Sequence, residues 1–215
     1  MAPSVSVITP AFNASRFIAE AARSVLAQTL GDLEMLVVDD RSKDDTVDVV
    51  RSLADADARV RLIQREENGG PAAARNTALE AAAGRYVAFL DSDDLWLPGK
   101  LEAQIRFMRD RDAPLSYTQY RRISETGELI SPAIPIPPEL DYRKLLKHNA
   151  LATSTVIVDR QKIGDVRMTR TYYDDFALWL KILKRGFIAH GLRKDLVRYR
   201  VVAGSWSRNK LRSAY

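Results

Sequence analysis

The first ninety residues alternate short apolar runs with amphipathic stripes, and that alternation restricts the fold more than any other feature of the chain. Val5–Thr9, Glu34–Asp39, Val60–Gln64 and Tyr86–Leu90 are rich in Val, Ile, Leu and aromatics and mostly bounded by polar turns, the pattern of buried strands. Between them Phe17, Ile18, Ala21, Ala22, Val25 and Leu26 form one stripe at helical spacing, and Val47, Val50, Leu53 and Ala54 a second. Residues 72–82 form a third helical segment on intrinsic propensity. Strand-helix repetition implies right-handed crossovers and a mostly parallel sheet covered on both faces. Ligands in such folds bind beyond the carboxyl ends of the strands, so the polar clusters after the first, second and fourth runs are the places to look.

The second half reads as a mixed continuation. A helix is expected from Pro98 through Met108, then a strand over Leu115–Tyr120 and a turn at Gly127. Residues 131–138 hold four prolines, which exclude a helix interior or a central strand; they are expected to form a surface loop. Thr155–Asp159 reads as a strand, Phe176–Arg185 as a helix and Leu196–Val202 as a closing strand. With 215 residues, 46% of them hydrophobic, the expectation is one α/β domain, with residues 1–112 and 113–215 as its two halves.

The net charge of +5 hides an asymmetry. Residues 1–112 carry 14 Lys and Arg against 19 Asp and Glu, whereas residues 113–215 carry 19 against 9. A basic half suits nucleic acid, anionic lipid or a phosphorylated substrate, and the acidic half argues against nucleic acid along the whole chain. Without cysteine there is no disulfide, thiolate metal site or thiol nucleophile. No secretory leader precedes Val5, and no apolar run approaches the roughly 20 residues that span a bilayer, so a soluble cytoplasmic protein is expected.

Four clusters could carry chemistry. Asp91-Ser92-Asp93-Asp94 follows the fourth run directly. If the chain stays extended there, Asp91 and Asp93 share a face, and their hard oxygens suit Mg²⁺ or Mn²⁺; the alternative is a cap at Asp94 beside two solvated acids. Asp39-Asp40-Arg41-Ser42-Lys43-Asp44 follows the second run, where one carboxylate could accept the N3–H of uracil, or the segment could be a polar turn capped by Ser42 or Asp44. Gly69-Gly70-Pro71 enters a helix that bears Arg75, which could reach a phosphate or a base, but the spacing of a P-loop is lacking. In Tyr173-Asp174-Asp175-Phe176 one acid is expected to cap the helix and the other could act as a base. His148 and His190 lack zinc spacing, and Phe176, Trp179, Leu180 and Leu183 read as core.

In this order, Val-Ile-Thr-Pro-Ala-Phe-Asn (7–13), Val-Asp-Asp-Arg-Ser-Lys-Asp-Asp-Thr (38–46), Gly-Gly-Pro-Ala-Ala-Ala-Arg-Asn (69–76) and Phe-Leu-Asp-Ser-Asp-Asp (89–94) resemble the family 2 glycosyltransferases of the GT-A fold. Thr153-Ser154-Thr155 and Tyr173 to Trp179 also resemble family segments, so the likeness covers about residues 4–208. It implies a Rossmann-like, mostly parallel sheet and an inverting transfer from a nucleotide-sugar, UDP-linked in most members, to a glycan or lipid-linked saccharide of a surface polysaccharide. By this resemblance Pro10, Ala11 and Phe12 line the base pocket, Asp40 bonds the base and Arg75 approaches base or phosphate. Asp91 and Ser92 lie near the donor, Asp93 binds the divalent metal with Asp91 and Asp94 beside it, and Asp175 is the base.

Two departures stand out. Arg41 occupies a position that is often glycine, and Val202 one that is often a histidine helping to bind metal or diphosphate. From Lys181 onward ten Lys and Arg face one acid, Asp195, a stretch that could rest on anionic membrane as a peripheral contact or be a solvated tail. Self-association stays open. The rival readings are a sugar nucleotidyltransferase, disfavoured because Thr9–Asn13 lacks a glycine-rich basic loop, and a non-catalytic nucleotide- or nucleic-acid-binding module, disfavoured by the intact acids at 91, 93 and 175.

Overall fold

A computed structural model describes residues 2–147 and 149–203. The first half follows the expected order: β1 (Val5–Ala11), α1 (Ile18–Leu26), β2 (Leu33–Asp39), α2 (Thr46–Ala56), β3 (Val60–Gln64), α3 (Pro71–Ala81) and β4 (Tyr86–Phe89). It continues with β5 (Leu95–Trp96), α4 (Lys100–Asp110), β6 (Leu115–Ile123), β7 (Glu139–Leu140) and α5 (Tyr142–Lys147). A 3₁₀ turn at Thr153–Thr155 leads to β8 (Ile157–Asp159), α6 (Arg160–Ile163), α7 (Asp174–Lys184) and β9 (Ala189–Arg200).

Among the described residues the strands form one sheet in the order β3-β2-β1-β4-β8-β6-β9-β5, with β7 on β9. β3, β2, β1 and β4 are mutually parallel; β8 runs against β4 and β6, and β9 is parallel to β6. The chain moves outward from β1 to β2 and β3, then returns past β1 to β4. That reversal puts the crevice between β1 and β4, the place where doubly wound sheets bind ligands.

The strands bury side chains on both faces, so each face needs a helical cover. Val5, Val7, Met35 and Val37 pack with Ile18, Val25, Val50 and Leu101 on the side of α1, α2 and α4. Ile8, Leu36, Val87 and Phe89 pack with Ala74, Leu145, Ile163 and Trp179 on the side of α3, α5, α6 and α7. The Phe89 and Trp179 rings meet edge to face at 5.3 Å, which places the aromatic stripe of α7 in the core as expected.

The proline segment 131–138 differs from a plain surface loop. It lies across the start of β9: Gly191 donates its amide to Pro138 O at 2.8 Å, Tyr117 donates its hydroxyl to Pro137 O at 2.7 Å, and Ile136 is buried. A Cβ at Gly191 would sit 2.3 Å from Pro137 O, so only glycine permits this approach. The last strand is also longer than expected, because β9 runs the full height of β6 before ending at the site.

Candidate active site

The site stands where β1, β2 and β4 end and where the 3₁₀ turn, α7 and β9 arrive from the second half. After β4 the chain does not stay extended. Asp94 donates its amide to Asp91 O at 3.1 Å, closing a turn over Asp91-Ser92-Asp93-Asp94. Asp91 and Asp93 are neighbours all the same. Burial, reinforced by the Asp91 charge, pushes the Asp93 carboxyl up to about 6 against the pull of Arg200 and Arg75.

Asp94 faces the other way. It is 1% exposed; its Oδ2 accepts from the Ser154 hydroxyl at 2.5 Å and its Oδ1 from the Arg200 amide at 2.8 Å. Ser154 Oγ also accepts from the Asp91 amide at 3.1 Å, and the Trp96 indole donates to Ser154 O at 2.8 Å. The Arg200 guanidinium donates to Asp93 O at 2.8 Å and to Glu20 at 2.6 Å. The acidic turn is therefore fixed from behind by the 3₁₀ turn and by the end of β9, with Asp94 as its anchor and Asp91 and Asp93 at its front.

Arg75 lies beneath this turn rather than in the open. One nitrogen of its fork donates to Asp91 at 2.5 Å and the other to Asp174 at 3.0 Å, with the arginine 6% exposed. Burial opposes its charge, but Asp91, Asp174 and Asp175 outweigh that penalty and hold the guanidinium above its ordinary pKa. Both acids lie in the first turn of α7, and neither is its cap, a position taken by Tyr173. Asp174 is buried against Arg75. Asp175 is partly exposed, accepting from the Thr153 hydroxyl at 2.7 Å and from the Phe176 amide at 2.8 Å.

After β2 the two adjacent aspartates divide their work differently from the sequence expectation. Asp40 is spent internally: its carboxylate accepts from the Gly69 amide at 3.0 Å, the Gly70 amide at 2.6 Å and Arg65 Nε at 2.8 Å. It thereby holds the turn into α3, where Gly70 takes φ +79°. Asp39 is equally buried, yet only its Oδ2 is bonded, by the Ser42 amide at 3.1 Å. Its Oδ1 has no hydrogen-bond partner among the described residues, as is also true of the buried Thr9 hydroxyl nearby on β1. Nothing in the spacing singled out Asp39; the signal lies in which of two consecutive carboxylates the fold leaves unsatisfied.

Pro10 and Ala11 close β1, and the half-exposed Phe12 borders a cavity of about 650 Å³ with Arg41, Ser42, Lys43 and Asn68. Arg41 takes φ +66°, the left-handed conformation that explains why glycine is frequent there. The loop is sewn to the end of β1: Asn13 donates its amide to Ser42 Oγ at 2.9 Å, and the Lys43 amide donates to Asn13 Oδ1 at 2.8 Å.

A model of glycosyl transferase family 2 matches residues 6–173, well over half the chain. The chain belongs to that family. It is 44% identical over 214 residues to TuaG of Bacillus subtilis (strain 168), a glycosyltransferase assigned to teichuronic acid biosynthesis, covering 99% of this chain and 84% of TuaG. It is 39% identical over 208 residues to WfaP of Escherichia coli, a UDP-Glc:alpha-D-GlcNAc-diphosphoundecaprenol beta-1,3-glucosyltransferase, covering 97% of this chain and 81% of WfaP. The fold matches the crystal structure of S. aureus TarS 1-349 in complex with UDP-GlcNAc with a TM-score of 0.79 at 23% identity. That match covers 99% of this chain and 61% of the TarS chain, and the family's α/β architecture is the one seen here.

His190 lies 3.5 Å from Glu139 at the opposite edge of the sheet, and His148 is outside the described residues. Val202 is described, whereas the following Gly204–Ser207 is not. Of the ten Lys and Arg from 181 onward, Arg200 is buried, Arg198 pairs with Asp195, and Arg208, Lys210 and Arg212 lie outside the described residues. No described helix is long and apolar enough to cross a membrane.

Proposed function

We propose that this family 2 glycosyltransferase moves a sugar from a UDP-linked donor to a glycan or lipid-linked saccharide of a surface polysaccharide, inverting the anomeric centre with Asp175 as base. The observation that carries this reading is the arrangement of Asp91, Asp93 and Asp175 around the buried Arg75, with Asp39 bonded to the amide of Ser42, a residue that lines an open cavity. A UDP donor and a lipid-diphosphate acceptor are what WfaP's name states for that relative.

Asp39 Oδ1 takes the role first given to Asp40, accepting the N3–H of uracil, a donor that cytosine lacks. Phe12 borders the base, and Arg75 acts by holding Asp91 and Asp174 in place rather than by touching the phosphates. Asp94 is likewise a positioning group.

The acidic turn fits a divalent cation. Asp91, Asp174 and Asp175 share the Arg75 guanidinium, and burial together with the Asp91 charge still pushes Asp93 up to about 6 against the pull of Arg200 and Arg75. Among the described residues no group of three His, Cys, Asp or Glu forms a ready cage, so Asp93 and Asp91 would hold Mg²⁺ or Mn²⁺ together with the donor's phosphates. Bound there, the cation supplies Lewis-acid neutralisation of the departing diphosphate. Asp175, oriented by Thr153, removes the acceptor proton as the hydroxyl oxygen attacks the anomeric carbon from the face opposite the leaving group. Contact with anionic lipid would rest on the exposed Lys181, Lys184, Arg185, Arg193 and Lys194. Pelleting with anionic vesicles at moderate salt supports that contact, and no pelleting removes it.

Thermal melting with UDP, GDP, CDP and TDP, each with and without Mn²⁺, tests the donor reading. Ligand at about 100 times its dissociation constant adds about 2.7 kcal/mol, a visible shift. A shift needing UDP and Mn²⁺ that is lost in Asp93→Ala supports the proposal; no shift with UDP overturns it.

A further inference from the structure

β6 and β9 carry two arginines side by side. Arg121 on β6 is the register partner of Arg198 on β9, and Leu95 of β5 is the partner of Arg198 on its other edge. The adjoining row, Tyr120, Val197 and Trp96, packs into the core that faces α1, α2 and α4. Neighbouring rows of a pleated sheet point to opposite faces, so Leu95, Arg198 and Arg121 point to the other one. That is the face covered by α7. Tyr117, four residues before Arg121 on β6 and on the same face, packs in one cluster with Leu178 and Trp179.

Both arginines turn to one acid. Arg121 Nε lies 2.8 Å from Asp195 Oδ2, while Arg198 Nη1 donates to Asp195 Oδ1 at 2.6 Å and to Val197 O at 3.1 Å. Their other guanidinium nitrogens make no hydrogen bond or ion pair among the described residues. The Arg121 side chain is 39% exposed and that of Arg198 17%, so solvent reaches the pair. Two guanidiniums on one carboxylate leave a positive charge over, with planar donors still unused. That is the donor set that takes phosphate oxygens in pairs.

Its place in the fold narrows the source of the phosphate. Arg198 stands beside Leu95, the residue after the acidic turn, and two positions, about 7 Å, before Arg200, whose amide bonds Asp94. The pair thus lies next to the donor-side acids on the face of the sheet that bears α7 and Asp175. A saccharide linked to lipid through a diphosphate brings its own anion to that face along with the attacking hydroxyl.

We infer that Arg121 and Arg198 bind the diphosphate of a lipid-linked acceptor, with Asp195 holding the two guanidiniums together. Such a site rests on the reading of the acceptor as a lipid-linked saccharide and adds the group that would hold its anionic linkage.

The test is calorimetry in EDTA, so that no cation can carry phosphate to the acidic turn. The probe is N-acetylglucosaminyl diphosphate esterified to a short alkyl chain, and the control is the alkyl glycoside without phosphate. Wild-type protein should bind the probe and not the control. Arg121→Gln/Arg198→Gln should weaken the probe at least about tenfold. Asp195→Asn, which keeps both arginines and removes the competing carboxylate, should tighten it. UDP binding with Mn²⁺, measured separately, should be unchanged in both variants. No binding of the probe by wild-type protein, or affinity that survives the double glutamine change, overturns the site. Should that variant fail to fold, an unchanged affinity in Asp195→Asn overturns it. Pelleting with phosphatidylglycerol vesicles that needs the arginines, without binding of the soluble probe, assigns the pair to lipid headgroups and overturns it too. Failure of wild-type protein to bind UDP overturns the donor reading instead, and an arginine-dependent diphosphate signal would then still stand.

Discussion

Arg75 and Asp174, 99 positions apart in the chain, meet in a 3.0 Å ion pair with both side chains under a tenth exposed. The same guanidinium holds Asp91, so one arginine joins the turn that follows β4 to the first turn of α7. Removing one partner of a buried pair leaves the other charge uncompensated, which costs about 3–5 kcal/mol. Arg75→Ala should therefore lower stability by that order in urea unfolding. Arg75→Lys should recover only part of it, because an ammonium lacks the planar fork that bridges two carboxylates.

The adjacent aspartates after β2 should separate cleanly. Asp39→Asn should weaken UDP binding about tenfold, near 1.4 kcal/mol, with little change in melting temperature, as calorimetry beside a thermal melt will show. Asp40→Ala should instead lower the melting temperature, since it strips charge-assisted bonds from the Gly69 and Gly70 amides and from Arg65.

Asp93 fixes a pH dependence with a definite sign. Its pKa rises from an ordinary 3.8 to about 6 on folding, so between those values the folded protein binds the proton more tightly and stability falls as pH rises. Asp93→Asn should remove that loss, stabilising the metal-free protein by on the order of 2 kcal/mol above pH 6. The gain should shrink through pH 5 and vanish below about pH 4, as unfolding curves across that range will show.

Lys100 is buried without a hydrogen-bond partner among the described residues, its ammonium 4.0 Å from the Trp96 ring centre. Burial pulls its pKa well below the lysine range, so the unfolded chain binds a proton that the folded one does not, and stability rises with pH across that window. Lys100→Met keeps the volume and removes the buried amine. It should stabilise the protein at neutral pH by about 1–3 kcal/mol and flatten the alkaline slope. A loss of stability would show that the amine has a partner.

Most of the scaffold could be read from periodicity because its strands and helices are long and their apolar faces regular. The first seven elements lie within a few residues of their expected limits. Two-residue strands such as Leu95–Trp96 and Glu139–Leu140 carry no period, and the short helices α5 and α6 no sustained stripe. The acidic motifs announced themselves by position, but the duties of individual carboxylates did not. Consecutive residues face opposite ways, and only the fold decides that Asp40 turns to the Gly69 and Gly70 amides while Asp39 keeps an oxygen unbonded. Asp174 and Asp175 are divided in the same way, by the distant Arg75 and Thr153.

The acidic turn after β4 takes its supports from Ser154 and Arg200, 60 and 106 positions downstream of Asp94. A ribosome delivers the chain from its N-terminus, and residues 1–112 emerge first. When residues 91–94 leave the exit tunnel, the groups that will fix them have not yet been translated. The acidic turn therefore takes its final form late in synthesis, with the arrival of β9, and an unfinished polypeptide carries Asp91, Asp93 and Asp94 without the contacts that fix them.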